Sequence, residues 1–125
     1  MKKEYIPIGK IDIKKYTKLC NKRIITKEVI ITYKQIEHIN DSREGVYNKY
    51  KDKLTDIIKN PDYIIKDPKH EDTGLVIKKY DKSAVVVIKI NTSDNNNKNS
   101  IITIWEIKEK RLKRYLMTHE IIYKK

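Results

Sequence analysis

Residues 95–107 read NNNKNSIITIWEI, a polar run that passes directly into a strongly apolar one. Isoleucine, threonine and tryptophan crowd the second part, and β-branched and aromatic side chains favour a pleated, half-buried strand. Alternate side chains of an extended chain point to opposite faces. A strand over residues 100–107 therefore sets Ile102 and Ile104 against Ile101, Thr103, Trp105 and Ile107. This strand decides the fold, because with its neighbours it makes the second half of the chain a sheet. It also raises a chemical question, since Ser100 stands at its mouth and Thr103 lies inside it. Threonine is at home in strands and serine is routine just before one, so both hydroxyls have an ordinary reading beside a functional one.

Working outward, residues 63–66, 75–79 and 84–90 are three more β-branched runs, separated by the turn sequences DPKHEDTG and YDKS. The polar loop TSDNNNKN leads into residue 100 and is expected to be mobile. Downstream, residues 108–117 read as a helix with Leu112, Tyr115 and Leu116 on one side, followed by a short edge strand over 120–123. Upstream, Thr32-Tyr-Lys-Gln35 fits a capping box, in which Thr32 accepts from a backbone amide and Gln35 reaches back. It predicts a helix over 33–40 with Tyr33, Ile36 and Ile39 inward and His38 on the flank, ended by Asp41-Ser42. From Val46, the residues Tyr47, Tyr50, Leu54, Ile57 and Ile58 recur at three- and four-residue intervals, the stripe of one amphipathic helix. Asn60-Pro61 stops it, because proline cannot donate and disfavours a helical residue before it. The first third holds only short elements: an extended GKIDI, a helical DIKKYTKLC, and two β-branched runs in RIITKEVIIT. The pattern is α+β, with N-terminal helices packed on an antiparallel sheet of about four strands and a C-terminal helix.

Strand parity predicts how the sheet is dressed. The economical pairing puts Ile77, Val86, Ile88, Ile90, Ile102 and Ile104 under the helices. The opposite face then gathers Lys78, Tyr80, Lys89, Thr103 and Trp105, a basic surface with aromatic and hydroxyl groups.

A chain of 125 residues allows one domain with one core, here read as short elements over 1–32 preceding a main body over 33–123. Twenty-nine Lys and Arg against 17 Asp and Glu leave a charge of +12, a field that attracts polyanions and puts nucleic acid first among partners. A lysine-rich coding bias is the plainer source of that charge. The lone Cys20 has no intramolecular disulfide partner and no companion for a metal site, which fits a reducing cytoplasm or a delivered protein. The start MKKEYIPIGK lacks the apolar centre of a signal peptide, and no run approaches the ~18 apolar residues of a membrane span. Three scattered glycines build no phosphate loop, and the acidic pair Glu71-Asp72 falls in a turn where solvation is the default.

The ordered segments VIITYKQIEHI, IIKNPDYIIKDP, LVIKKY, NSIITIWEI and KEKRLKRYL, spanning about residues 26–123, resemble phage-associated nuclease domains of the barnase–EndoU–colicin–RelE type. The resemblance implies N-terminal helices on a curved four-stranded antiparallel sheet and a metal-independent, cofactor-free RNase, often aimed at tRNA. It marks His38 as catalytic. In HINDSREG, Arg43 supplies the basic group that follows such a histidine, and the second histidine of that pattern is absent. Metal-free RNA cleavage needs a base for the 2′-OH, cations for the phosphorane and an acid for the leaving oxygen. Histidine is the residue type suited to base or acid near neutral pH. Arg43, Lys78 and Lys89 are the candidate phosphate cations, Ser100 and Thr103 the hydroxyl donors, and Arg111 a hold on the backbone. Tyr80 and Trp105 offer stacking surfaces for bases. The first reading is thus a small endoribonuclease, a toxin or effector carried by a phage or mobile element and paired with a neutralising protein. The alternatives are a catalytically silent module binding nucleic acid or protein, and a phage structural or interaction domain.

Overall fold

The computed structural model describes residues 4–93 and 97–125, so the middle of the TSDNNNKN loop lies outside the described residues. Seven strands form one sheet: β1 (Tyr5–Lys10), β2 (Glu28–Thr32), β3 (Tyr63–Lys66), β4 (Thr73–Lys79), β5 (Ser83–Lys89), β6 (Asn99–Ile107) and β7 (Ile121–Lys124). Their order is β1-β2-β6-β5-β4-β3-β7, antiparallel throughout except where β2 runs parallel to β6. The helices are α1 (Ile13–Tyr16), α2 (Tyr33–Ser42), α3 (Val46–Tyr50), α4 (Leu54–Lys59) and α5 (Glu109–Thr118). The α+β reading holds, and the sheet is larger than the four strands expected. The short runs of RIITKEVIIT are too brief to signal a sheet alone. One of them becomes β2, which joins β1 to β6 and brings the first 32 residues into the same sheet.

The stripe from Val46 to Lys59 is buried as its spacing predicts, with Tyr50, Leu54, Ile57 and Ile58 all fully enclosed. It is broken into α3 and α4 by a tight 3-10 turn over Lys51–Lys53. Lys59 is the last helical residue and Asn60, its C-cap, has left the helical conformation, as the following proline requires. Tyr16, fully buried, donates its hydroxyl to the carbonyl of Ile58 at 2.6 Å and so ties the N-terminal segment to α4.

Pairing Val76 with Val86 and Val86 with Ile104 fixes which side chains share a face. One face buries Ile64, Val76, Val86, Ile88 and Ile104 against α2, α3, α4 and the N-terminal segment. The other carries a second, smaller core of Ile65, Leu75, Ile77, Val85, Val87 and Ile107, capped by Leu112 of α5 with Tyr115 and Leu116 beside it. This corrects the parity reading in two places. Ile77 and Ile102 lie on the α5 side, while Lys78 and Tyr80 lie on the side of α3 and α4. The cause is physical: a sheet covered on both faces has apolar residues at both parities, so alternation alone does not tell which side is which. No helix among the described residues is long and apolar enough to cross a membrane.

Candidate nuclease site

The site forms where β2 stops. It pairs with β6 only through Val29–Asn99 and Ile30–Ser100. At Thr32 the side chain accepts the backbone N–H of Gln35 at 3.0 Å, capping α2 as expected, and the chain leaves the sheet. Beyond Ser100, the edge of β6 is met by α2 instead of a strand. On that helix Lys34, His38 and Ser42 stand four residues apart and share one side. With Gln35, Arg43, Ile102 and Thr103 they line a cleft of about 470 Å³. His38 is exposed there, not sealed in the core.

Two backbone features aim the remaining groups. The helix runs to Ser42 rather than stopping at Asn40, and the N–H of Arg43 donates to the carbonyl of Ile39 at 2.7 Å. Arg43 then leaves the helical conformation, and Gly45, at φ 83°, makes the left-handed turn into α3 that suits glycine. On β6, the register slips between Val87 and Ile88, whose partners are Thr103 and Ile101, leaving Ile102 as the extra residue. Thr103 and Trp105 pair regularly with Val87 and Val85, whereas the bulge turns Ile101 to the opposite core. The guanidinium of Arg43 lies over the Trp105 ring, 5.3 Å from its centroid. The answer to the question posed by the strand is therefore that Thr103 faces the same cleft as His38 and Arg43.

The cleft is basic, as is a further concavity lined by Lys22, Arg23 and Lys27, but of the two only the cleft also holds a histidine. Its lining includes Lys34, His38 and Arg43 and, among the described residues, no carboxylate. Ser100 and Lys89 are cross-strand partners in a second concavity, also about 470 Å³, with Asp72, Thr92 and Lys98 in its wall. Arg111 lines a third concavity with Lys108, Lys110, Arg114 and Tyr115 along α5, its guanidinium 5.6 Å from the Tyr115 ring centroid. Lys34, Gln35 and Ser42 were missed in the sequence, although the four-residue spacing of Lys34, His38 and Ser42 was there to read.

Lys78 and Tyr80 do not join this site. Lys78 pairs with Asp56 at 2.9 Å and donates to the Asn60 carbonyl, and the Tyr80 hydroxyl donates to the same Asp56. The hydrogen bond from Lys78, helped by that from Asn60, holds the Asp56 carboxyl below its ordinary pKa. Burial, then the Asp56 charge, pushes the Tyr80 phenol up to about 12. Beside them Glu106 accepts from Lys49 at 2.9 Å and from Tyr50 at 2.7 Å, and it too is held low by those two bonds. Of the other histidines, His70 pairs with Asp67 in an exposed turn, and His119 packs edge-on against Tyr115.

No curated protein and no solved structure matches the chain. The family model for the phage-Barnase-EndoU-ColicinE5/D-RelE like nuclease3 matches residues 7–114, and the chain belongs to that nuclease family.

Proposed function

We propose that the protein is a metal-independent endoribonuclease whose reaction takes place in the cleft between α2 and β6. The single observation that carries this reading is a cleft that holds an exposed imidazole, two cationic side chains and the hydroxyls of Ser42 and Thr103, with no carboxylate among the described residues that line it. In the reaction, His38 takes the proton from a ribose 2′-OH as that oxygen attacks the adjacent phosphorus. The bond to the 5′-oxygen breaks, that oxygen takes a proton from solvent water to give a 2′,3′-cyclic phosphate and a free 5′-OH, and the His38 imidazolium returns its proton to solvent. Arg43 and Lys34 stabilise the charge gathering on the phosphorane, and Thr103 donates a hydrogen bond to a phosphate oxygen. Lys89, Ser100 and Arg111 hold the flanking RNA backbone, and tRNA is the first substrate to try. In its biological setting the domain acts as a phage or mobile-element toxin, acting in the cytoplasm and restrained by a neutralising protein.

The test is incubation of the purified protein with tRNA and total RNA in excess EDTA, followed by analysis of the new ends. Cyclic phosphate termini that vanish with His38→Ala support the reading. Intact RNA at high enzyme concentration overturns it. Salt-sensitive binding without turnover would make the domain the silent RNA-binding module instead.

A further inference from the structure

We propose that Trp105 is a positioning residue: its indole holds the Arg43 guanidinium at the cleft, so the ring serves the phosphate-binding cation and not a stacked base. The inference rests on the nuclease reading for the role of Arg43, and on geometry alone for the contact. Trp105 is itself firmly placed. It pairs with Val85 across the sheet and packs against the smaller core. The next residue, Glu106, points to the opposite face and is gripped there by Lys49, Tyr50 and Lys82. Arg43, by contrast, is an exposed side chain at the end of α2, and ordering so long a chain costs entropy each time it meets a ligand. A guanidinium resting on the indole has already lost much of that freedom.

The choice of an aromatic ring over a carboxylate matters chemically. An acidic partner would cancel the charge of Arg43 and occupy the N–H fork that recognises phosphate. A ring face attracts the cation through its quadrupole and leaves all five N–H donors at the guanidinium edge. Trp105 therefore fixes Arg43 without competing with RNA for it. The same contact removes Trp105 as a platform for bases, since one side of the indole meets the core and the guanidinium lies over the ring.

Trp105 is the chain's one tryptophan, so emission excited selectively at indole reports the surroundings of this ring, the Arg43 contact among them. Arg43→Ala should uncover the ring, moving the emission to longer wavelength and raising its quenching by neutral acrylamide. Emission and quenching equal to wild type would overturn the proposal whether or not the protein cleaves RNA. The second arm is a double-mutant cycle on kcat/KM for tRNA, or on the affinity for a single-stranded oligoribonucleotide if there is no turnover. Trp105→Leu should lose about 3- to 30-fold, Trp105→Phe should recover most of that loss, and adding Trp105→Leu to Arg43→Ala should cost nothing further. Additive losses would mean that Trp105 meets the RNA independently, and the proposal fails. Should Trp105→Leu not fold, the Trp105→Phe and Arg43→Ala pair gives the same cycle at smaller amplitude.

Discussion

The cluster around Lys78 and Tyr80 and the cluster around Arg43 and Trp105 are made of the same materials, cations beside aromatic rings and hydroxyls. They differ in how charge is compensated. Lys78, Lys49 and Lys82 each pair with Asp56 or Glu106, and the phenols of Tyr50 and Tyr80 donate to those same carboxylates. These three lysines and two phenols are already paired within the protein. In the cleft of His38, Lys34 and Arg43 no acidic side chain among the described residues contributes to the lining, and Arg43 rests on a ring. A basic protein has lysines everywhere, and the ones that matter for a polyanion are those its own carboxylates leave alone.

The largest expected effect follows from that difference. His38→Ala should reduce the initial rate of RNA cleavage by about 10²- to 10⁴-fold, the usual share of a general acid–base group. Lys78→Ala, on the opposite face, should leave the rate within about twofold of wild type, since an ion pair bound to its own domain contributes little beyond it. Equal losses in the two variants would erase the distinction between the clusters.

The distinction was only partly legible in the sequence. Periodicity alone placed the stripe from Val46, the cap at Thr32 and the four central strands, because amphipathic spacing and capping are local signals. The position of Lys78 was not legible. Val76 and Ile77 are both buried, on opposite sides of β4, so parity offers no preferred face. Thr103 keeps the side it shares with Trp105 by alternation, whereas Ile101 is turned away from them by a bulge at Ile102 that no residue in IITI announces. His38 and Arg43 were identified through family resemblance, and what brings them to Thr103 is the departure of β2 from β6 after only two paired residues. Such a long-range event has no local signature. Lys34 and Ser42 were within reach, had the face of α2 that holds His38 been followed in both directions.

A second pair of substitutions should separate stability from binding. Tyr50→Phe removes a hydroxyl that donates to the ionised Glu106 and should destabilise the fold by about 1.5–3 kcal/mol in urea unfolding. It should leave RNA affinity alone at temperatures where the variant is folded. Arg43→Ala, at an exposed position, loses only its contact with the Trp105 ring and should change stability by no more than about 1 kcal/mol. If Tyr50→Phe weakens RNA binding as much as Arg43→Ala does, the closed cluster is part of the binding surface after all.

Salt dependence gives a finer reading of the same contrast. Each cation that neutralises a phosphate contributes about 0.7 to the slope of log affinity against log salt for a single strand. Arg43→Ala should lower that slope by about this amount, measured by fluorescence anisotropy across a salt series. Lys78→Ala should return the wild-type slope. A change on Lys78→Ala alone would relocate the RNA to the other face of the sheet.

The smallest effect, and the one most specific to the closed cluster, is its response to acid. Hydrogen bonds from Lys49 and Tyr50 keep the Glu106 carboxyl below its ordinary pKa, and Lys78 and Asn60 do the same for Asp56. A carboxyl depressed in the folded state is protonated first in the unfolded chain, so acid favours unfolding in the interval between the two values. The stability these groups contribute is complete above the ordinary carboxylate range near pH 4. It declines as pH falls towards the depressed values and is absent below them. Lys49→Met removes the strongest cause of the Glu106 shift, so its melting temperature should lie below wild type at pH 7 and approach it by pH 3. Arg43→Ala has no carboxylate to release and should track wild type in parallel over the same range. Parallel curves for Lys49→Met would mean that Glu106 gains nothing from its lysine in the folded state, and the closed cluster would then be as uncompensated as the cleft.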